Sequence, residues 1–289
     1  MRFTLMMGMG GHEDYPLLAA AAEQAGWDAI SVPDSIFYPR ISESDYPYAD
    51  TAAVRSALEA TPVIDPLIAI AGMAAVTKRI RFYPGVLKVP VRQPLVLAKA
   101  LSSLAVMSNN RLSLGAGLSP WKEDFSYNGV AFEKRGKLMD ECLEIIRAAM
   151  TGDYFEYHSD NFDIGELKLS PAPTRPVPIL IGGHARPALR RAARLGDGWI
   201  SANTDRETLR ELIAQLGEFR QQYKRCGEFE IHALDSNLRS ADDCLRLADL
   251  GVTDICVTPW NPYQNGLSLQ DKLDAMERFA SEIIVSIQA

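Results

Sequence analysis

The feature that most constrains this chain is an unbroken alternation of short apolar runs with longer helical periodicities. Eight runs rich in β-branched or aliphatic residues read as strands: Phe3–Met7, Ala29–Val32, Ile80–Gly85, Leu112–Gly117, Ile179–Gly182, Gly198–Ser201, Phe229–Leu234 and Asp254–Thr258. Between and after them the period lengthens to that of helices, at Tyr15–Ala25, Pro66–Val76, Pro94–Met107, Phe132–Met150, Arg186–Leu195, Asp205–Arg225, Ser240–Leu250 and Leu269–Ile287. Repeated βα units imply a parallel sheet, and eight of them predict an α/β fold, a single (β/α)8 TIM barrel. One barrel can occupy all 289 residues, so 1–289 reads as one domain. Two insertions, near 33–66 and 152–178, exceed ordinary connection lengths. The first carries Tyr38, Tyr46 and Tyr48 and is predicted to fold over the barrel mouth. The second alternates over Tyr154–His158 and Phe162–Ile164, as a small hairpin would.

Three helix-to-strand turns share one design. Ala25-Gly26-Trp27-Asp28, Leu195-Gly196-Asp197-Gly198 and Leu250-Gly251-Val252-Thr253-Asp254 each place glycine where a helix stops. These turns belong to the N-terminal face of a barrel, which serves stability; chemistry sits on the loops at the C-terminal strand ends.

A net charge of −7 without clustered Lys and Arg argues against a nucleic-acid or anionic-membrane partner. The four cysteines, Cys142, Cys226, Cys244 and Cys256, have no metal-ligand spacing and read as free thiols of a reducing cytoplasm. The apolar start Met1–Met7 meets glycine at once, unlike a signal peptide, and no stretch reaches about 18 uninterrupted apolar residues, so no membrane span is expected.

Among the strand exits, Ile179-Leu180-Ile181-Gly182-Gly183-His184-Ala185-Arg186 has the form of an anion cradle. A strand ends in two glycines and a helix begins at once, where backbone N–H groups and the helix dipole favour a phosphate; His184 and Arg186 are further donors. The alternative is a tight turn. Gly115-Ala116-Gly117 lacks the third glycine and downstream acid of a dinucleotide fingerprint, and its small residues suggest that something bulky lies against the backbone. Pro84 makes the third strand irregular near Gly85 and Val86, as a bulge or simply as a strand end. Ionisable groups at strand ends are His12, Asp34, Lys88, Glu123, Asp124, Arg135 and His184, with no hydrolytic dyad or triad spacing and no metal-binding cluster. Tyr38, Trp121, Trp260 and Tyr263 are candidates for an aromatic lining.

Several ordered segments, taken together, resemble the luciferase-like monooxygenase family, and more closely its compact deazaflavin-dependent (F420-dependent) oxidoreductase branch. They are Glu23-Gln24-Ala25-Gly26-Trp27-Asp28-Ala29-Ile30-Ser31-Val32-Pro33-Asp34, Arg79-Ile80-Arg81-Phe82, Arg92-Gln93-Pro94, Ser108-Asn109-Asn110-Arg111-Leu112-Ser113-Leu114-Gly115-Ala116-Gly117, Pro178 to Gly183, and Gly196-Asp197-Gly198-Trp199. The resemblance spans almost the whole chain. It implies a flavin or deazaflavin ring in the barrel mouth, against a non-prolyl cis peptide at Gly85–Val86, with Gly115 and Gly117 beside it. Its phosphate would lie near Gly182, Gly183 and His184, with Arg135 a further contact. Lys88, Arg92 and Arg135 are the basic residues available to the glutamate tail of F420. Many relatives carry His after the Asp that ends strand two; this chain has Asp34-Ser35, which removes that histidine as proton donor.

The resulting expectation is hydride transfer between F420 and a small organic substrate, with Asp34, Tyr38, Lys88 and Trp121 as candidate catalytic or substrate-contacting residues. The alternatives are an FMN-dependent monooxygenase, with a possible separate reductase as its partner, and a non-catalytic flavin-binding protein. A homodimer is expected through apolar helix faces such as Leu95–Leu104.

Overall fold

A computed structural model describes residues 1–8, 11–48, 50–235, 238–261 and 266–288; Tyr263, a candidate lining residue, lies outside them. The strands are β1 (Arg2–Met6), β2 (Ala29–Val32), β3 (Arg81–Pro84), β4 (Leu87–Lys88), β5 (Leu114–Gly117), β6 (Tyr154–His158), β7 (Asp163–Lys168), β8 (Ile179–Gly182), β9 (Gly198–Ser201), β10 (Glu230–Leu234) and β11 (Asp254–Val257). β6 and β7 form a separate antiparallel hairpin, and the other nine make one parallel sheet in the order β3-β2-β1-β11-β10-β9-β8-β5-β4. The two ends of that order, β3 and β4, are successive pieces of one strand path. They are separated only by Gly85 and Val86, whose peptide bond is cis. β3 pairs with β2 and β4 with β5, so the ladder closes on itself as an eight-stranded barrel. A lone parallel bridge between Phe82 and Leu112 joins β3 to the approach of β5. The strand read as Ile80–Gly85 is therefore split by the bulge, and Leu112–Gly117 shortens to β5.

β2, β5 and β11 are buried at every position, as parallel strands covered on both faces must be. The covering layer comprises α1 (Tyr15–Gln24), α2 (Thr51–Ala60), α3 (Pro66–Ala75), α4 (Pro94–Met107), α5 (Lys122–Ser126), α6 (Arg135–Ala149), α7 (Arg186–Leu195), α8 (Arg206–Gln222), α9 (Ala241–Asp249), α10 (Leu269–Phe279) and α11 (Val285–Gln288). Helix starts follow local chemistry. Asp65 accepts the N–H groups of Leu67 and Ile68 with Pro66 at the first helical position, and Ser240 with Asp243 and Ser268 with Asp271 form reciprocal capping boxes. On α4 the buried face is Leu97, Ala98, Leu101, Leu104 and Ala105, so most of the leucines expected on an outer face point inward. Val96, Val106 and Met107 are the exposed apolar residues there.

The three glycine turns carry a second device. In each, an oxygen before a strand accepts the N–H of a residue in the neighbouring strand. Asp28 takes Phe3 N at 2.8 Å, Asp197 takes Ile179 N at 2.9 Å, and Thr253 Oγ1 takes Ile231 N at 2.8 Å. Each loop thereby pins the adjacent strand and satisfies a donor that would otherwise be orphaned. The same end holds an ion network: Arg2 and Arg81 bracket Asp254 and Glu230, and His232 Nε2 lies 2.8 Å from Glu230.

The Ser108-Asn109-Asn110-Arg111 segment is also structural. Asn109 and Asn110 adopt left-handed conformations at φ 56 and 58, which asparagine tolerates better than most residues. Arg111 is buried and donates to the carbonyls of Ala74, Thr77, Ile80 and Ser108, capping the chain where α3 ends. No helix of the described residues is long and apolar enough to cross a membrane.

Candidate active site

The mouth is organised around the bulge. A Cβ placed on Gly117 would come within 2.2 Å of Val86 Cγ2, one on Gly182 within 2.9 Å of Val86 Cγ1, and one on Gly115 within 1.9 Å of the Pro84 carbonyl oxygen. The bulky neighbour inferred for the Gly-rich exits is thus, first of all, the protein itself. The glycines admit the Val86 side chain and the Pro84 carbonyl into the barrel top, and Gly85 in turn leaves room for Ser31 Oγ.

Beside the bulge stand two buried ion pairs. The Asp34 carboxylate, 1 % exposed, accepts Lys88 N at 2.9 Å and both terminal nitrogens of Arg92 at 2.9 Å. Arg92 also donates to the Lys88 carbonyl and approaches Asp65 at 3.6 Å. Asp34 is thereby committed to fixing the segment that follows β4, in bidentate geometry. The Lys88 ammonium meets Asp124 Oδ2 at 2.6 Å, and Ser119 Oγ donates to the same oxygen while accepting Trp121 N.

The insertion after β2 is held against this region. Ser42 and Ser44 donate to Glu123, Ser44 Oγ accepts Lys122 N at 3.0 Å, and Tyr46 stacks on the buried Trp121. Tyr48 continues the chain of rings, meeting His184 edge-on at a centroid distance of 5.1 Å. Tyr38 lies further out, its hydroxyl bonded by Arg55 at 3.1 Å. Of the four candidate catalytic residues, Lys88 and Trp121 are thus brought together through Ser119 and Asp124, Asp34 joins them through the Lys88 backbone, and Tyr38 stands apart.

At the anion cradle, Gly183 has φ 115, a conformation that demands glycine, and α7 begins three residues later. Trp199 Nε1 holds the Gly183 carbonyl at 2.9 Å, and His184 Nε2 lies 3.0 Å from Ser201 Oγ. Burial pushes the His184 imidazole below its ordinary range, against the smaller effect of the Ala202 backbone, so the ring is neutral near pH 7. The cradle therefore offers backbone donors rather than a histidine charge. Arg186 turns away to lie over the Phe219 ring, and Arg135 folds back onto Phe132, donating to its carbonyl at 2.7 Å. A cleft of about 790 Å³ opens beside these elements, lined by Tyr46, Tyr48, Leu234, Val257 and Trp260 among others.

Ser119, at the exit of β5, and Asp124, on α5, complete the Lys88 site and have no spacing relation to Lys88. An acid at a strand exit is the only hint the sequence offers.

A closed parallel barrel with a Gly-rich, bulged mouth at its C-terminal face defines the class of TIM-barrel proteins that bind ligands there. A family model for luciferase-like monooxygenases matches residues 10–234, and the chain belongs to that family. It is 44% identical to an uncharacterised protein of Mycobacterium tuberculosis over 99% of this chain and 100% of that one. It is 26% identical to an F420-dependent glucose-6-phosphate dehydrogenase of Amycolatopsis mediterranei, over 66% of this chain and 53% of the relative. Among solved structures, a monooxygenase from Streptomyces bottropensis superposes with a TM-score of 0.78 at 16% identity, covering 99% of both chains. The coenzyme F420-dependent tetrahydromethanopterin reductase of Methanopyrus kandleri superposes with a TM-score of 0.76 at 14% identity, again over 99% of both. The family includes F420-dependent enzymes and monooxygenases.

Proposed function

We propose that this protein is an F420-dependent oxidoreductase that moves a hydride between the deazaflavin and a small organic substrate. The observation that carries this reading is its likeness, at 26% and 27% identity, to two F420-dependent glucose-6-phosphate dehydrogenases. The residues present fit such a cofactor. Gly85 and Val86 offer backbone to a planar ring, with Gly115 and Gly117 giving the bulge its room. The turn before α7 suits a phosphate, which would take the place of the Tyr48 hydroxyl at the His184 backbone N–H. When bound, the deazaflavin supplies the hydride chemistry. The chain's own residues orient it, and Tyr46, Tyr48 and Trp121 line one side of the mouth. Paired titration with F420 and FMN tests this reading.

One observation favours the second reading, an FMN-dependent monooxygenase. Two of the cations available to an acidic cofactor tail are engaged elsewhere, Arg92 by Asp34 and Arg135 by Phe132. FMN has no such tail. Oxygen consumption coupled to substrate oxidation with FMN would establish it.

We also propose a homodimer. Leu17, Ile68 and Val96 are exposed at the third positions of the neighbouring helices α1, α3 and α4. Sedimentation equilibrium should give twice the 31.9 kDa chain mass. The triple change of these residues to Asp should halve it, and a wild-type monomer refutes the proposal.

A further inference from the structure

Several buried charges of this barrel serve joints. Asp254 closes the N-terminal end with the partly exposed Arg2, Arg81 and Glu230, and Arg111 caps the chain beyond α3. Lys88 and Asp124 differ in position: both are over nine-tenths buried, at 8 % and 1 % exposed, and they stand at the C-terminal strand ends where ligands bind. Lys88 pairs in register with Gly117, so no side chain on the adjoining strand covers it, and it follows the Gly85–Val86 bulge directly. An ammonium has three donors. Among the described residues Asp124 is the one group that meets this ammonium, which leaves two donors without a protein partner. A largely buried cation with unused donors at a C-terminal strand end is placed to take an acceptor from outside the chain.

We propose that the Lys88 ammonium binds and protonates a substrate oxygen, and that Asp124, with Ser119 behind it, is the positioning residue that aims it. The proposal rests on the hydride-transfer reading and names the substrate class as a carbonyl compound. A hydride forms the new C–H bond at the carbonyl carbon as the C=O π pair moves to oxygen. That oxygen takes a proton from Lys88, leaving a neutral amine that regains a proton from solvent. In the reverse direction the amine accepts the alcohol proton. Reduced F420 is the two-electron donor and is oxidised in the step. The charged groups around Lys88 are Asp124 at its Nζ and the Asp34–Arg92 pair at its backbone; that pair is already mutually neutralised, so Asp124 governs the ammonium.

The test uses the full chain with F420, a fixed panel of aldehydes, ketones and enones, and the variants Lys88→Met, Lys88→Arg and Asp124→Asn. Lys88→Met should bind F420 within about 3-fold of wild type yet lose roughly 100-fold or more in kcat on the panel, while Lys88→Arg, if Met misfolds, retains binding with a similar loss. Asp124→Asn removes the ion pair that aims the ammonium, so kcat should fall about 10-fold with KM and F420 binding near wild type. Independently of turnover, the 13C-methylated Lys88 resonance should change its chemical shift in that variant. Wild-type kcat in Lys88→Met, or unchanged kcat and resonance in Asp124→Asn, overturns the proposal. Tight F420 binding with no panel member reduced overturns the carbonyl assignment alone, and failure to bind F420 overturns the functional reading beneath it.

Discussion

Asp254→Ala is expected to lower the unfolding free energy by about 3 kcal/mol, the low end of the range for breaking a buried ion pair. Asp254 is 0 % exposed and takes Arg2 at 2.7 Å and Arg81 at 3.2 Å. Without it, two guanidinium groups lose their buried counter-charge, although both are partly exposed and recover some hydration, which keeps the loss from the upper end. The network also sets the acid limit of the fold. Burial disfavours ionised Glu230, but the hydrogen bond from His232 and the charges of Arg81 and Arg2 outweigh it and hold this carboxyl at about 2, against 4.5 when unfolded. The stabilisation is therefore present above pH 4.5 and lost as pH falls toward 2. Asp254, also lowered against its burial by Arg2, acts in the same direction. Thermal unfolding at pH 7 and pH 3 checks both points: a clear loss for Asp254→Ala at pH 7, and a smaller difference from wild type at pH 3. An unchanged melting temperature at pH 7 refutes the role given to this network.

Gly115→Ala should cost about 3 kcal/mol or more, because its Cβ would meet the Pro84 carbonyl oxygen at 1.9 Å and backbone cannot rotate aside. Gly117→Ala meets instead a side chain, Val86 Cγ2 at 2.2 Å. The two substitutions should therefore answer differently to a second change. Val86→Ala should recover most of the stability lost in Gly117→Ala and little of that lost in Gly115→Ala, a coupling readable by denaturant unfolding of the double-mutant cycle. Equal rescue of both would show that the glycines do not serve the bulge as described.

The contrast between these two glycines also shows where the sequence is informative. The barrel was legible because βα alternation and glycine helix stops are local signals, and the family resemblance pointed correctly to a cis bond at Gly85–Val86. Gly115, Gly117 and Gly182 were legible as sites of close approach, but not what approaches them, because Pro84 and Val86 meet them from the bulge on a neighbouring strand path. The same holds for Asp28 and Asp197, visible beside their glycines while their strand-pinning bonds were not. Asp34 stands at a strand exit, and its pairing with Arg92, 58 residues away, has no signal in the sequence. Arg135 lies three residues after Phe132, a spacing that permits its ring contact, whereas the stacking of Arg186 on Phe219 joins distant positions. Long-range ion pairs and ring contacts of this kind join residues that only the closed fold brings together, and periodicity does not reach across it.

The most direct test of the central claim is a paired fluorescence titration of the purified protein with F420 and FMN in moderate salt. Hydride-transfer chemistry predicts F420 binding at least ~100-fold tighter than FMN, a gap of about 2.7 kcal/mol. Preference for FMN, or binding of neither, would contradict it.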